Sequence, residues 1–228
     1  RRVEVRIGEH VQMLDPASRV VGDSVWLRSG ARVYGVHANE LINRAGALLG
    51  LRLAPLSLPL FPLPPLPAMT PGSQDIEVRQ GGSLTLPPGS YRKITVRSGA
   101  TLTLAGGTYQ VSALDIREKA RMLFRGPSRV LVKNEMDTDA RAYLGPDPAV
   151  SGLRAREILF FVQGGDDKGR RHAEDRGREE EVSPTAVQIG EANVIKANVY
   201  AINGTVWLKA KTEATGAFIG RRVRLGEK

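Results

Sequence analysis

Three acidic residues, Glu135, Asp137 and Asp139, alternate just after the run RVLVK (129–133). Alternate side chains of an extended chain share a face. With Asp115 and Glu118 they are the candidates for acid–base work on a glycosidic bond, which needs two carboxyl groups across one groove. A solvated turn after Lys133 explains the same residues more simply and is the preferred reading. The remaining inventory is sparse. There is no Cys, which removes thiol nucleophiles, disulfides and Cys-ligated zinc. His10, His37 and His172 stand apart from any Ser or Asp partner in sequence and are too few for a multi-His metal centre. Phosphate-binding glycine loops, HExxH and GxSxG are absent. Asp166-Asp167 lacks the ligand alternation of a calcium loop. Thr101 and Thr103 beside Ser83 and Thr85 make too small a ladder to order ice. The expectation is a protein that is not an enzyme, with no catalytic residue, no cofactor and no metal.

Charge narrows the partners. Lys and Arg number 33 against 24 acids, a formal +9. No basic run exceeds two residues and aromatics are 5%, so neither a clustered duplex-reading face nor a base-stacking platform is expected, and nucleic acid is set aside. A surface polysaccharide or a second copy of the chain remains. No apolar run reaches 18 residues. The nearest stretch, Ala45 to Met69, holds Arg52 and six prolines, so no transmembrane helix is expected. The start, Arg1-Arg2-Val3, is read as following a cleaved or missing segment.

The elements that must position these residues are a train of short β runs. VEVRI (3–7), VWLR (25–28), SLTL (83–86), KITV (93–96), TLTL (101–104), ALDI (113–116), EILFFVQ (157–163), TVWLK (205–209) and RVRLG (222–226) are examples. Apolar and polar residues alternate within them. Between Ile94 and Val132 runs recur every six to eight residues, and Val206/Val223 and Leu208/Leu225 are each 17 apart. That spacing predicts three short faces per coil and about 18–24 residues per coil. An antiparallel sandwich is the competitor, but Asn203-Gly204 is its one hairpin signal. The fold class is therefore all-β, a single-stranded parallel β-helix (solenoid) forming one domain over 1–228.

Two insertions break the train. Residues 42–73 carry seven prolines and nine leucines and are read as an extended arm, lying along its own solenoid in preference to docking on a neighbour. Ala38 to Leu53 could form a short helix. Residues 164–183 are nearly all charge and glycine and read as a flexible loop. Removing 32 and 20 residues from 228 leaves 176, roughly nine coils and a rod of ~40–45 Å. Apolar residues from Val5 and Ile7 through Leu84 and Ile219 to Val223 are assigned to its interior.

Four segments carry a family likeness: IGEHVQML (7–14), VWLRSGARVYGVHANEL (25–41), PPGSYRKITVRSGATLTLAGGTYQVSALDI (87–116) and YAINGTVWLKAKTEATGAFIGRRVRLGEK (200–228). They resemble bactofilins and other polymer-forming β-helices of bacterial surfaces. The resemblance implies a scaffold that assembles without nucleotide and brings no catalytic residues. The arm and loop depart from compact bactofilins, which favours an extracellular or cell-surface protein. An open coil is an unpaired edge that templates further strand. Val3, Val5 and Ile7 at one mouth and Val223 and Leu225 at the other are therefore the expected assembly residues, with Leu58, Leu60, Phe61, Leu63 and Leu66 of the arm adding contact. The function expected is a structural subunit stacking end to end into a filament or array. The alternative is a carbohydrate-binding or carbohydrate-active β-helix, using the carboxylates above and an exposed aromatic such as Trp26 or Tyr34.

Overall fold

The computed structural model describes residues 3–53, 65–164 and 185–226. Nineteen strands follow in chain order: β1 (Glu4–Ile7), β2 (Val20–Leu27), β3 (Arg32–Asn43), β4 (Leu48–Leu53), β5 (Ile76–Val78), β6 (Ser83–Leu86), β7 (Gly89–Ser90), β8 (Lys93–Val96), β9 (Thr101–Leu104) and β10 (Gly107–Ile116). Then come β11 (Arg121–Phe124), β12 (Ser128–Thr138), β13 (Tyr143–Pro146), β14 (Ile158–Val162), β15 (Thr185–Ile189), β16 (Val194–Lys196), β17 (Asn198–Leu208), β18 (Glu213–Thr215) and β19 (Phe218–Leu225). Every pairing among the described residues is parallel, and the strands stack as a β-solenoid of about 10 turns. The predicted parallel β-helix is what the chain forms.

Register explains the short runs. One inward column reads Ile76, Ile94, Leu114, Met136, Val187, Val206, Val223, Val5, Val25 and Leu41. A second, two residues on, reads Val78, Val96, Ile116, Thr138, Ile189, Leu208, Leu225, Ile7, Leu27 and Asn43. The 17-residue spacings seen in the sequence are these registers: Val206 lies on Val223 and Leu208 on Leu225. Strand alternation puts the intervening residues outside.

One corner recurs at coil after coil. In Arg28-Ser29-Gly30-Ala31, Arg44-Ala45-Gly46-Ala47 and Arg97-Ser98-Gly99-Ala100, the Ala N–H donates to the Arg carbonyl three residues back. The third residue has positive φ, 75°, 82° and 67°, as a type II turn requires, and glycine meets that without a Cβ penalty. Ala31 and Ala100 then point into the core with no exposed surface. The same corner is built at 117–120 with Lys119 at φ 58°.

The order of strands along the rod is not the order along the chain. It runs β4-β3-β2-β1-β19-β17-β14-β12-β10-β8-β5. The chain enters in mid-rod at β1, winds outward to β4, and resumes at β5 at the opposite end. From there it climbs back to place β19 on β1. Ten strand spacings of ~4.8 Å make the rod about 48 Å long. Thr70 N–H donates to Gln110 Oε1 at 2.8 Å, and Arg92 N–H to the Gln74 carbonyl at 2.7 Å. Residues 70–74 thus descend the outside of β10 towards β5, along the chain's own solenoid.

Several expectations are corrected here. Val5 and Val223, and Ile7 and Leu225, are not open mouths but register partners in one chain. The Asp23 and Ser24 N–H groups donate to the Val3 carbonyl, so Val3 is internal too. Ala38–Leu53 forms β3 and β4 in place of a helix, because Val36 and Ala38 continue the inward columns set by Val20 and Gly22. The arm accordingly starts after Leu53. Leu84 is 37% exposed because it pairs only with Leu102 and nothing described stacks below it. Ile219 lies beside outward Tyr200, outside the core. Leu58, Leu60, Phe61 and Leu63, and the charged loop from residue 165 onward, lie outside the described residues. Leu66 is half-buried.

Candidate functional site

Three surfaces are candidates: the rod ends, the joint between β19 and β1, and the outward column between the two inward ones. The ends are formed by β4 with the second half of β3, and by β5 with β6. At the first, Leu48, Leu51 and Leu53 are 57%, 49% and 42% exposed. Leu41 and Leu49, which close inward columns, are only half-buried. At the second, Ile76 and Leu84 are the matching last members of inward columns. Arg52 sits over Val36 in an inward column at the β4 end, while Asp75 and Glu77 stand at the β5 end. The latter two are ion-paired with Arg92 and with Arg97 Nε, the second at 2.6 Å.

The joint is tightly fitted. Gly8 N–H donates to the Leu225 carbonyl at 2.7 Å, and a Cβ on Gly8 would lie 2.7 Å from that same oxygen. Gly226, at φ 68°, leaves room for Val11, whose Cγ2 a Cβ would meet at 2.5 Å. Glu4 bridges the seam, accepting from Arg222 Nε at 3.2 Å and from Arg6 Nε. Arg6 lies beside Arg224. The Arg224 Nε is buried without a partner.

The outward column reads Glu77, Thr95, Asp115, Asp137, Gln188, Trp207, Arg224, Arg6, Trp26 and Ile42. Arg6 lies over the Trp26 ring at 5.6 Å and Lys209 over Trp207 at 5.1 Å, cation–π contacts that hold both indoles against the sheet. β12 runs on to Thr138, so Glu135 and Asp137 lie on one face of a strand and not in a solvated turn after Lys133, and Asp137 is the register neighbour of Asp115. Their environments differ. Asp115 accepts from Arg117 Nη2 at 2.7 Å and pairs with Lys93 at 3.5 Å. Asp137 accepts from Gln188 Nε2 at 3.0 Å, but burial pushes its carboxyl above the ordinary value, and Asp115 and Asp139 add to that rise. Glu118 is taken by Arg141. Trp26 stands five strand spacings from Asp137, about 24 Å, so Trp26 and the carboxylates lie on separate parts of the column, whereas Trp207 is two spacings from Asp137. Tyr34, 42% exposed, is not in this column.

A raised folded-state value means the charged form of Asp137 opposes folding. That cost is full above the raised value and disappears as pH falls through the unfolded value, near 3.8. Asp137→Asn keeps an acceptor for Gln188. It is expected to raise Tm by about 1–3 °C at pH 7–8, with the gain fading towards pH 4 in a thermal-melt series.

Among the described residues no three His, Asp or Glu side chains are grouped to hold a metal, and no helix is long and apolar enough to cross a membrane. A shallow open recess beside β13, lined by Tyr143, Asp147, Leu153 and Lys196, carries one buried carboxylate. Asp147 is held below its usual range first by the Ala149 N–H and then by Arg125, which makes it a loop clamp.

The inward polar pair Thr138 and Asn193 was not foreseen; its only sequence signal is an Asn where other corners carry Ala. The Arg-x-Gly-Ala corner is legible in the sequence itself, repeated at 28, 44 and 97. No protein family, curated protein or solved structure matches the chain, so what it is stands on its fold alone: a parallel β-solenoid.

Proposed function

We propose that this protein is a structural, non-catalytic building block whose rods stack head to tail through the β4 and β5 ends, in the manner of bactofilin-like surface scaffolds. The observation that carries this reading is that both ends leave strand edges unpaired among the described residues while pointing the same way. The β5 edge of one copy continues the parallel lattice of β3 and β4 of the next. Leu41 would receive Ile76, and Leu49 the Leu84 column, completing inward columns now half-covered. In this register Glu77 would lie on Ile42, Asp75 on Glu40 and Arg79 on Arg44, so the apolar columns and not charge favour the contact. An extracellular or cell-surface setting suits such a scaffold.

Leu84→Lys tests the reading, because Leu84 is already partly exposed and its loss costs the monomer little. The wild type is expected to form rods longer than ~48 Å in negative stain, growing with concentration, and the variant to remain single. Single rods of wild type at high concentration would remove the proposal.

A second reading is binding of an acidic polysaccharide along the outward column. It is favoured by Trp207, Arg224, Arg6 and Trp26 in succession: guanidinium forks for carboxylates between two rings for sugar faces. Retention on an acidic-polysaccharide resin, reduced at least tenfold in Trp26→Ala, is the expected result.

A further inference from the structure

The joint between β19 and β1 differs from every other step of the rod. Elsewhere neighbouring strands belong to successive coils of a continuous chain. Here they are held only by side chains and backbone hydrogen bonds, since the covalent path from β1 to β19 passes through both rod ends. The buried residues follow the same division. One apolar cluster extends from Val78 to Leu208. A second holds Val5, Ile7, Val20, Val25, Leu27, Val33, Val36 and Val223, and Leu225 packs against both. Residues 3–53 thus have a core of their own, closed by a single strand of the other part.

We propose that residues 3–53 exchange between two copies of the chain, the β1 edge of each docking on β19 of the other to give a reciprocal dimer. Every contact of the joint is reproduced in such a dimer: Val5 on Val223, Ile7 on Leu225, Glu4 on Arg222, and Gly8 against the Leu225 carbonyl. Exchange needs a connection long enough to reach, and this chain has one. If extended at ~3.1 Å per residue, the 22 residues from Ala54 to Asp75 would reach ~68 Å. In a single copy that connection must link ends about 48 Å apart. In a two-fold dimer with antiparallel rods, the β4 end of one rod lies beside the β5 end of the other, and the connection crosses only sideways. Closed two-fold dimers are the commonest symmetric assembly, and exchange of an identical element is a low-cost route to them. The inference does not rest on end-to-end stacking: exchange uses mid-rod strands, stacking uses the rod ends.

The test exploits the absence of Cys. Arg6 and Arg224 are outward register partners across the joint. Arg6→Cys and Arg224→Cys chains, made separately, are mixed, partly unfolded, refolded across a range of protein concentrations and treated with a short bis-maleimide. The expected result is a covalent dimer joining the two variants, its share rising roughly tenfold per tenfold rise in refolding concentration until saturation. The double variant, refolded dilute, closes within one chain at monomer mass. Stacked rods keep these positions in the middle of separate rods and give no such dimer, even where filaments form. A mixture that yields no more dimer than two copies of Arg6→Cys alone would overturn the proposal.

A second variant approaches from the other side. Deleting residues 55–64 leaves seven residue steps from Leu53 to Thr70, at most ~25 Å, against eight strand spacings, ~38 Å, in the single-chain rod. The expected product is a dimer with wild-type circular dichroism and no monomer by light scattering. A monomer with wild-type melting behaviour would refute exchange.

Discussion

Phe160→Ala is expected to destabilise the protein by about 3–5 kcal/mol, a large part of the ~5–15 kcal/mol that holds a typical domain together. Phe160 has no exposed surface, and its ring meets Phe124 edge to face with centroids 5.9 Å apart. The two rings come from different faces of the coil, one on β14 and one on β11, so together they bridge the interior. Truncation removes a full ring from a cross-section only a few side chains wide. The strands above and below cannot collapse inward without breaking their ladders, so the cavity persists and the cost falls at the upper end. Phe161, the next residue, points outward and touches Tyr200 at 5.8 Å. Phe161→Ala is expected to cost about 1 kcal/mol. Chemical denaturation of both variants checks the inside–outside assignment along with the magnitude.

The second large effect is expected at Asn193. This side chain is fully buried at a corner where the three preceding coils carry Ala100, Ala120 and Ala142 and the following coil Thr212. Its Oδ1 accepts from the Ala142 N–H at 2.7 Å, and its Nδ2 donates to Thr138 Oγ1 at 2.6 Å. Thr138 Oγ1 also accepts from the Gly190 N–H at 3.0 Å. The pair stitches the corner after β12 to the corner after β15 in the next coil. Asn193→Ala leaves the Ala142 donor buried and unpaired, and Thr138 without one of its partners. At about 1–3 kcal/mol for each abandoned group the total is about 3 kcal/mol. Thr138→Val, isosteric but unable to bond, is expected to cost about 2 kcal/mol alone. The two losses are expected not to add, because the first already abandons the bond the second removes. Strict additivity in a double-mutant cycle would show that the two residues do not act as a unit.

What could be read from the chain and what could not divide along physical lines. Val206, Leu208, Val223 and Leu225 announced their stacking because inward columns repeat at the coil length, and hydrophobic patterning is a local property. TLTL and SLTL were legible for the same reason. The helix expected over Ala38–Leu53 failed because Leu-rich spacing without strong caps is ambiguous, and the columns begun by β2 decided it. The mid-rod position of β1 was not legible. Nothing in VEVRI distinguishes an edge open to solvent from one covered by a strand more than 200 residues away, since both need the same alternation. The assembly residues placed at Val3, Val5, Ile7, Val223 and Leu225 were thus correctly read as strand-seeking, but they find their partners within the chain. Glu135 and Asp137 were read as sharing a face, and β12 puts them on one; that Asp115 lies beside Asp137 depends on how the coils stack, which local alternation does not carry. Their distance from Trp26 depends on which coils intervene, a global property.

Chain order also sets a clock. On a ribosome adding about 5–20 residues per second, the strand that covers β1 is completed some 10–40 s after β1 itself. For that interval the edge carrying Val5 and Ile7 has no partner from its own chain, and nascent chains on the same message can offer theirs. Maturation of this rod therefore ends, not begins, with the amino-terminal coils, and its last step closes the longest contact in the molecule.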